Sequence, residues 1–231
     1  MRDIYQRTAI LIGEENLNKL TKSHVAVFGI GGVGGYAVEA LVRAGIGQIT
    51  IVDFDKIDPT NINRQIIALH STIGQYKVDV MAQRIKEINP DIQVITGKDK
   101  LNSANIQQYD FNEYDYIVDA VDDVTAKLLL IEGANQHNIP IISSMGTAKK
   151  LDPSKLEAAD IHKTSVCPLA RVIRKELKKR GDIALKVVYS KEEPKEAMVP
   201  NDALGSISFV PASSGLLMAS QVVKDLIGGI G

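Results

Sequence analysis

Five residues, His24-Val25-Ala26-Val27-Phe28, run straight into Gly29-Ile30-Gly31-Gly32-Val33-Gly34, and apolar residues then recur at helical spacing as far as Ala44. A short apolar run broken by glycines reads as a buried strand, and the 3.6-residue period after it reads as a helix that Gly45 ends. A second apolar run over 48–52 closes on Asp53. Strand, glycine turn, helix and strand in that order commit the chain to a βαβ unit. Such units demand a parallel sheet with right-handed crossovers.

The same rhythm continues. Residues 14–22 form a short amphipathic helix with Leu17 and Leu20 on one face, and 76–88 a helix stopped at Asn89-Pro90. Strands are expected over 92–96, 115–119 and 139–143, with a helix over 124–137 between the last two. Beyond Ser144 the pattern changes. Residues 145–167 are mixed and polar, and 169–180 form a strongly basic helix ended by Gly181. The runs 185–189 and 206–210 read as strands that extend the sheet antiparallel. Residues 190–205 read as a mobile loop, and Ser213 or Ser214 as the cap of a last helix running to 227. The expected fold is α/β: a Rossmann-like, doubly wound, mainly parallel sheet extended by antiparallel strands in its C-terminal part. Residues 1–231 are expected to form one domain, with a nucleotide-binding half (1–144) and a substrate-side extension (145–231).

Composition narrows the function. A formal net charge of −1 leaves no global field to attract nucleic acid, so any such contact needs a local basic patch. Cys167 is the single cysteine, which removes both an internal disulfide and a four-cysteine zinc site. The first residues lack a signal-peptide apolar run, and charged and polar residues interrupt the last helix, so no membrane span and a cytoplasmic location are expected. The histidines are scattered and read as structural or exposed.

The candidate site follows from the glycine turn. Gly29, Gly31, Gly32 and Gly34 sit between a strand and a helix N-terminus, where backbone amides and partial positive charge suit phosphate. Asp53, at the end of the next strand, suits ribose hydroxyls, with Asp55 beside it. These features alone fit a dinucleotide as well as ATP. Asn61, Arg64, Gln65 and Lys77 shift the balance, because a fork of guanidinium donors and an ammonium suit a triphosphate and a leaving pyrophosphate. Asp122, in the Asp119-Ala120-Val121-Asp122-Asp123 stretch, is a candidate ligand for Mg²⁺, a hard ion that binds carboxylate and phosphate together. Asp122, Asp123 and Thr125 are also candidate caps for the helix that follows.

Taken together, Gly29 to Gly34, Asp53-Phe54-Asp55, Asn61 to Gln65, Gly74-Gln75-Tyr76-Lys77 and Asp119 to Asp123 resemble the ubiquitin-activating-enzyme-like superfamily, which includes the bacterial sulfur-carrier adenylyltransferases. Further motifs are similar to those of the tRNA threonylcarbamoyladenosine dehydratases. These are Ile142-Ser143-Ser144-Met145-Gly146, Leu151-Asp152-Pro153, Lys163-Thr164, Pro168-Leu169-Ala170 and Gly205 to Pro211. The resemblance implies that Gly32 and its neighbours contact ATP and that Asp53 holds the ribose. It places Asn61, Arg64 and Lys77 around the phosphates and Mg²⁺ on Asp122. Arg7 falls where the superfamily sends an arginine across a homodimer into the partner's site. Asp123 departs from the asparagine typical of the sulfur-carrier enzymes.

The chemistry so implied is activation of an inert carboxylate. Attack on the α-phosphate of ATP releases pyrophosphate and leaves an acyl adenylate. The carbamoyl part of the same substrate then closes a ring and releases AMP, with net loss of water. Ring closure is intramolecular, so it needs no protein nucleophile, and Cys167 reads as an incidental thiol. For tRNA, Arg171, Arg174, Lys175 and Lys178 share one helix face, extended by Lys179 and Arg180, with Lys149 and Lys150 near it. The resemblance also admits a sulfur-transfer protein as partner. Other readings stay open on the residues: an adenylyltransferase that activates the C-terminus of a ubiquitin-like sulfur carrier, a non-catalytic nucleotide or tRNA module, and an NAD-dependent dehydrogenase.

Overall fold

Each residue of β1 (His24–Phe28) is buried, as a central strand covered on both faces must be. In the computed structural model, which describes residues 3–196, 198–199 and 204–229, β1 pairs in parallel with β2 (Gln48–Val52) on one side and β4 (Tyr116–Asp119) on the other. β3 (Gln93–Gly97) lies outside β2, and β5 (Ile141–Ser144) outside β4. The complete order is β3-β2-β1-β4-β5-β7-β6, where β6 is Leu156–Asp160 and β7 is Lys186–Ser190. The chain winds outward from β1 to β3 and then returns to the other flank at β4. Strand order therefore reverses between β1 and β4, and the crevice beyond their carboxyl ends is where such sheets bind ligands.

Alternating side chains divide the core between the two faces. Val25 and Val27 point into a cluster with Val38 and Leu41 of α3 (Gly34–Ala44), Val78 and Met81 of α4 (Lys77–Ile88), and Met218 and Val222 of α7 (Phe209–Leu226). Ala26 and Phe28 point the other way, onto Ala126, Leu130 and Ala134 of α5 (Val124–His137). A third cluster joins α5 to α6 (Pro168–Lys179) through Ile131, Ile173 and Leu177. Two short helices, α1 (Gln6–Ile12) and α2 (Glu14–Lys22), precede the sheet; Leu17 and Leu20 of α2 are its buried face, as the spacing predicts.

Four expectations are corrected in the second half. The run 185–189 is a strand, β7, but it pairs with β5 in parallel; only β6 is antiparallel, and it lies in the 145–167 stretch read only as mixed and polar. Residues 206–210 are not a strand: helix α7 begins at Phe209. Ser213 and Ser214 consequently lie inside that helix rather than at its cap. Pro211 is tolerated there because it sits in the first turn, where amide groups have no intrahelical acceptor to lose. The misreading has a physical source. Ile207, Phe209 and Val210 are β-formers by local preference, but burying Val210, Met218 and Val222 on the sheet outweighs that preference. The 190–205 loop falls partly outside the described residues. Among the described residues no helix is long and apolar enough to cross a membrane.

Candidate active site

The glycine turn is built by backbone demands. Gly29 has φ +87°, and a Cβ there would stand 2.6 Å from the Ala120 carbonyl oxygen, so a side chain is excluded on both counts. The Gly29 amide donates to the Val52 carbonyl at 2.8 Å, which ties the turn to the end of β2. There Asp53 acts as a second tie. Its Oδ2 accepts from the Ile30 amide at 2.6 Å, and its Oδ1 accepts from the Asp55 amide at 2.9 Å. Asp53 is only 8% exposed. Burial pushes its pKa up, against the lowering pull of the Lys77 ammonium and the two amides.

Lys77 opens α4 and is buried, not the exposed helix lysine that a lone residue at this position suggests. Its Nζ lies 2.6 Å from Asp55 Oδ2 and 3.8 Å from Asp53 Oδ2. Asp53, Asp55 and Lys77 thus form one charged cluster at the carboxyl end of β2.

The Asn61–Gln65 segment folds back over the glycine turn. Asn61 closes a short 3-10 turn, Pro59–Asn61, and accepts from the Asp58 amide at 3.2 Å. Arg64 donates through Nη1 to the Thr60 carbonyl and to Asn63 Oδ1, both at 2.9 Å, which fixes its reach. A Cβ on Gly32 would stand 3.4 Å from Arg64 Cγ and 3.3 Å from Pro211 Cβ, so Arg64 and the start of α7 wall that glycine. Gln65 is 7% exposed, and its carbonyl oxygen has no hydrogen-bond partner among the described residues. Its amide nitrogen is the nearest neighbour of a Cβ placed on Gly31, at 3.9 Å. Gly29, Gly31, Gly32 and Gly34, Asp53, Asp55, Asn61, Arg64, Gln65 and Lys77 therefore come together around the carboxyl ends of β1 and β2.

Asp122 is exposed on the turn after β4, free of the capping role its neighbour takes. That cap is Asp123, whose Oδ1 accepts from the Ala126 amide at 2.8 Å. Among the described residues no group of three or more His, Cys, Asp or Glu gathers as a metal site. Mg²⁺ characteristically needs only one or two carboxylates when substrate phosphates complete its shell, and a single Asp122 is compatible with that arrangement.

The other expected residues lie elsewhere. Arg7 is exposed on α1, a helix with no buried residue, and makes no hydrogen bond or ion pair among the described residues. On α6, Arg171, Lys175 and Lys178 are exposed and without an ion pair among the described residues. Arg174 differs: its Nη1 donates to the Ile161 and Thr164 carbonyls and to Thr164 Oγ1, at 3.2, 3.1 and 2.6 Å. Its guanidinium anchors α6 to the preceding loop, which takes it out of a free basic face. Lys179 pairs with Glu176, and Arg180 with Glu132 and Glu176. Lys150 is buried and donates to the Ser190 carbonyl at 3.1 Å, so it adds nothing to a surface patch. Cys167 is buried just before α6.

Two features escaped the sequence. Pro211 reaches the glycine turn from the far end of the chain; it ends the Gly205 to Pro211 motif, but nothing local shows where that motif packs. Lys127 is wholly buried beside Asp119 and Ser143 at the ends of β4 and β5. A lone lysine between Ala126 and Leu128-Leu129-Leu130 was the available signal.

Residues 5–230 match the family model of the ThiF family. The tRNA threonylcarbamoyladenosine dehydratase of Bacillus subtilis strain 168 is 41% identical, over 98% of this chain and 95% of its own length. That of Escherichia coli K12 is 34% identical, over 98% and 94%. The crystal structure of the E. coli enzyme in complex with ATP superposes with a TM-score of 0.92 at 35% identity, covering 98% of this chain and 95% of that one. The chain belongs to the ThiF family, and within it to the tRNA threonylcarbamoyladenosine dehydratases.

Proposed function

We propose that this protein is an ATP-dependent tRNA threonylcarbamoyladenosine dehydratase that cyclises the modified nucleoside through carboxylate adenylation. The observation that carries the reading is end-to-end similarity to dehydratases, one of them solved with ATP, over a site whose charges suit a triphosphate.

The residues take these roles. The turn from Gly29 to Gly34 offers backbone amides to phosphate, and Asp53 takes the ribose with the lone pairs that Ile30 and Asp55 leave free. Asn61, Gln65 and Arg64 face the phosphates from above the turn. Lys77 and Arg64 offset the charge that grows on pyrophosphate as the substrate carboxylate attacks the α-phosphorus, and such stabilisation is worth several kcal/mol in a water-poor site. Asp122 is the residue that would hold Mg²⁺, and the ion would supply charge neutralisation beside the phosphates. The carbamoyl group then attacks the activated carbonyl carbon; a proton is lost, AMP leaves and the ring closes. Both reacting groups belong to one nucleoside, so proximity supplies much of the rate.

Further elements of the reading concern assembly. Residues 1–231 act as one unit, since β7 and α7 pack into the same core as β1. Arg7 serves the partner's site in a homodimer. The tRNA meets Arg171, Lys175 and Lys178 on α6, and a sulfur-transfer protein is an additional partner class. The location in this reading is cytoplasmic.

The decisive experiment incubates the protein with ATP, Mg²⁺ and threonylcarbamoylated tRNA and digests the tRNA to nucleosides. Loss of one water from the modified nucleoside, with AMP and pyrophosphate formed, is the expected result. Formation of ADP, or an unchanged nucleoside mass, overturns the reading.

A further inference from the structure

Lys127 and Asp119 are both 0% exposed. The Lys127 ammonium donates to three oxygens: Asp119 Oδ2 at 2.8 Å, Ser144 O at 3.0 Å and Ser143 Oγ at 3.1 Å. Ser143 Oγ in turn donates to the same Asp119 oxygen at 2.5 Å. Every ammonium proton has an acceptor, and the pair joins α5 to the carboxyl ends of β4 and β5. A buried ion pair is rarely the most stable filling for a core, because desolvation offsets its attraction, and apolar side chains of the same volume often do as well. Its presence calls for a reason other than stability.

The geometry supplies one. The second oxygen of Asp119 accepts from the Val121 amide at 3.2 Å. Ala120 N donates to the Phe28 carbonyl at 2.8 Å, and the Ala120 carbonyl lies against Gly29 of the nucleotide turn. Lys127 N donates to the Asp123 carbonyl at 3.0 Å, the first backbone bond of α5, which ties the far end of the turn to the helix. The segment from Asp119 to Asp123 is thus clamped at both ends, with Asp122 the exposed residue between the clamps. The pair is wholly buried, whereas Asp122 is exposed.

We infer that Lys127 is a positioning residue: through Asp119 and Ser143 it holds the turn that presents Asp122 to the metal-bearing phosphates of ATP. It touches neither nucleotide nor metal. The inference rests on the ATP reading of the site, and the test separates the two.

ATP affinity is measured by calorimetry with Mg²⁺ and with EDTA, and the ratio of the two gives the Mg²⁺-dependent gain. The variants are Asp122→Asn, the charge-free double variant Asp119→Asn with Lys127→Met, the conservative Lys127→Arg, and Ser143→Ala, which leaves the ion pair and removes one of its ties. Thermal melting reports folding for each. Asp122→Asn is expected to lose the gain almost entirely. The double variant is expected to lose it about as fully while still melting cooperatively. Ser143→Ala is expected to lose it about threefold, and Lys127→Arg to retain more of it than the double variant. A folded double variant with the wild-type gain overturns the inference. So does a wild-type gain in Ser143→Ala, which decides the matter if the double variant fails to fold. Wild-type protein that binds no ATP under either condition sinks the functional reading, and this inference with it.

Discussion

At the scale of single residues, one carboxylate shapes the turn on which the proposed ATP site depends. Asp53 holds two backbone amides, so it shapes the glycine turn before any nucleotide arrives. In Asp53→Asn one of those amides must face an NH₂ group. The variant is expected to bind ATP at least tenfold more weakly, about 1.4 kcal/mol, by titration calorimetry. It is also expected to lose stability by roughly 1–3 kcal/mol in urea unfolding, the usual cost of a buried donor left unpaired. Glu39 gives a pH-dependent case. Burial pushes its pKa up, but hydrogen bonds from Arg84 (2.7 and 3.0 Å) and Arg43 (2.8 Å) outweigh burial and hold it below the usual 4.5. A carboxylate with a lowered folded pKa contributes stability that is full above its ordinary pKa and is lost as pH falls through the folded value. Both arginines are substantially exposed, so Glu39→Gln is expected to cost only about 1 kcal/mol at pH 7. That difference from wild type is expected to shrink in acid, which urea midpoints at pH 7 and pH 3 would reveal.

At the scale of elements, the pairing of α3 with α7 is the contact that couples the C-terminus to the site. Gly215 lies in this contact: a Cβ there would overlap the Val33 carbonyl oxygen and approach Ala37 N to 3.0 Å. These are backbone atoms of the first turns of α3, which cannot rotate aside. Alanine in place of glycine gains about 1 kcal/mol in helix propensity, but overpacking of this kind costs roughly 1–3 kcal/mol. Gly215→Ala is therefore expected to destabilise by about 2 kcal/mol. It is also expected to weaken ATP binding, since a shifted α7 moves Pro211 against Gly32. Urea midpoints and ATP titration on the same variant test both parts. The elements of the first half were legible because each carries its own signal, down to the left-handed cap at Gly45 (φ +112°). In the second half the periodicity is weaker. β6, with Glu157 and Asp160 in its five residues, reads as polar because it is an edge strand, half-buried along its length. β7 reads as a strand, but a run of residues carries no information on which neighbour it will meet or in which direction.

At the scale of the molecule, the site is shared among distant segments: the β1–α3 turn, the end of β2, the 61–65 segment, the start of α4, the turn after β4 and the first turn of α7. A ligand that bridges them binds the folded state alone and stabilises it by mass action. ATP at 100 times its dissociation constant is expected to add about 2.7 kcal/mol, which raises Tm by roughly 5–10 °C in a domain of this size. Differential scanning fluorimetry with Mg²⁺-ATP checks this, and no shift at any concentration would count against the site. Sequence by itself determined the βαβ order, the parallel sheet and which polar residues gather about the glycine turn, because those depend on periodicity, glycine chemistry and spacing along the chain. Tertiary structure alone decided that β7 runs parallel to β5, that Arg174 is an anchor while Lys175 is exposed, and that Lys127 is buried against Asp119. Those outcomes depend on what each residue meets across the core, where desolvation and unsatisfied hydrogen bonds set the energies, and no local pattern encodes the partner.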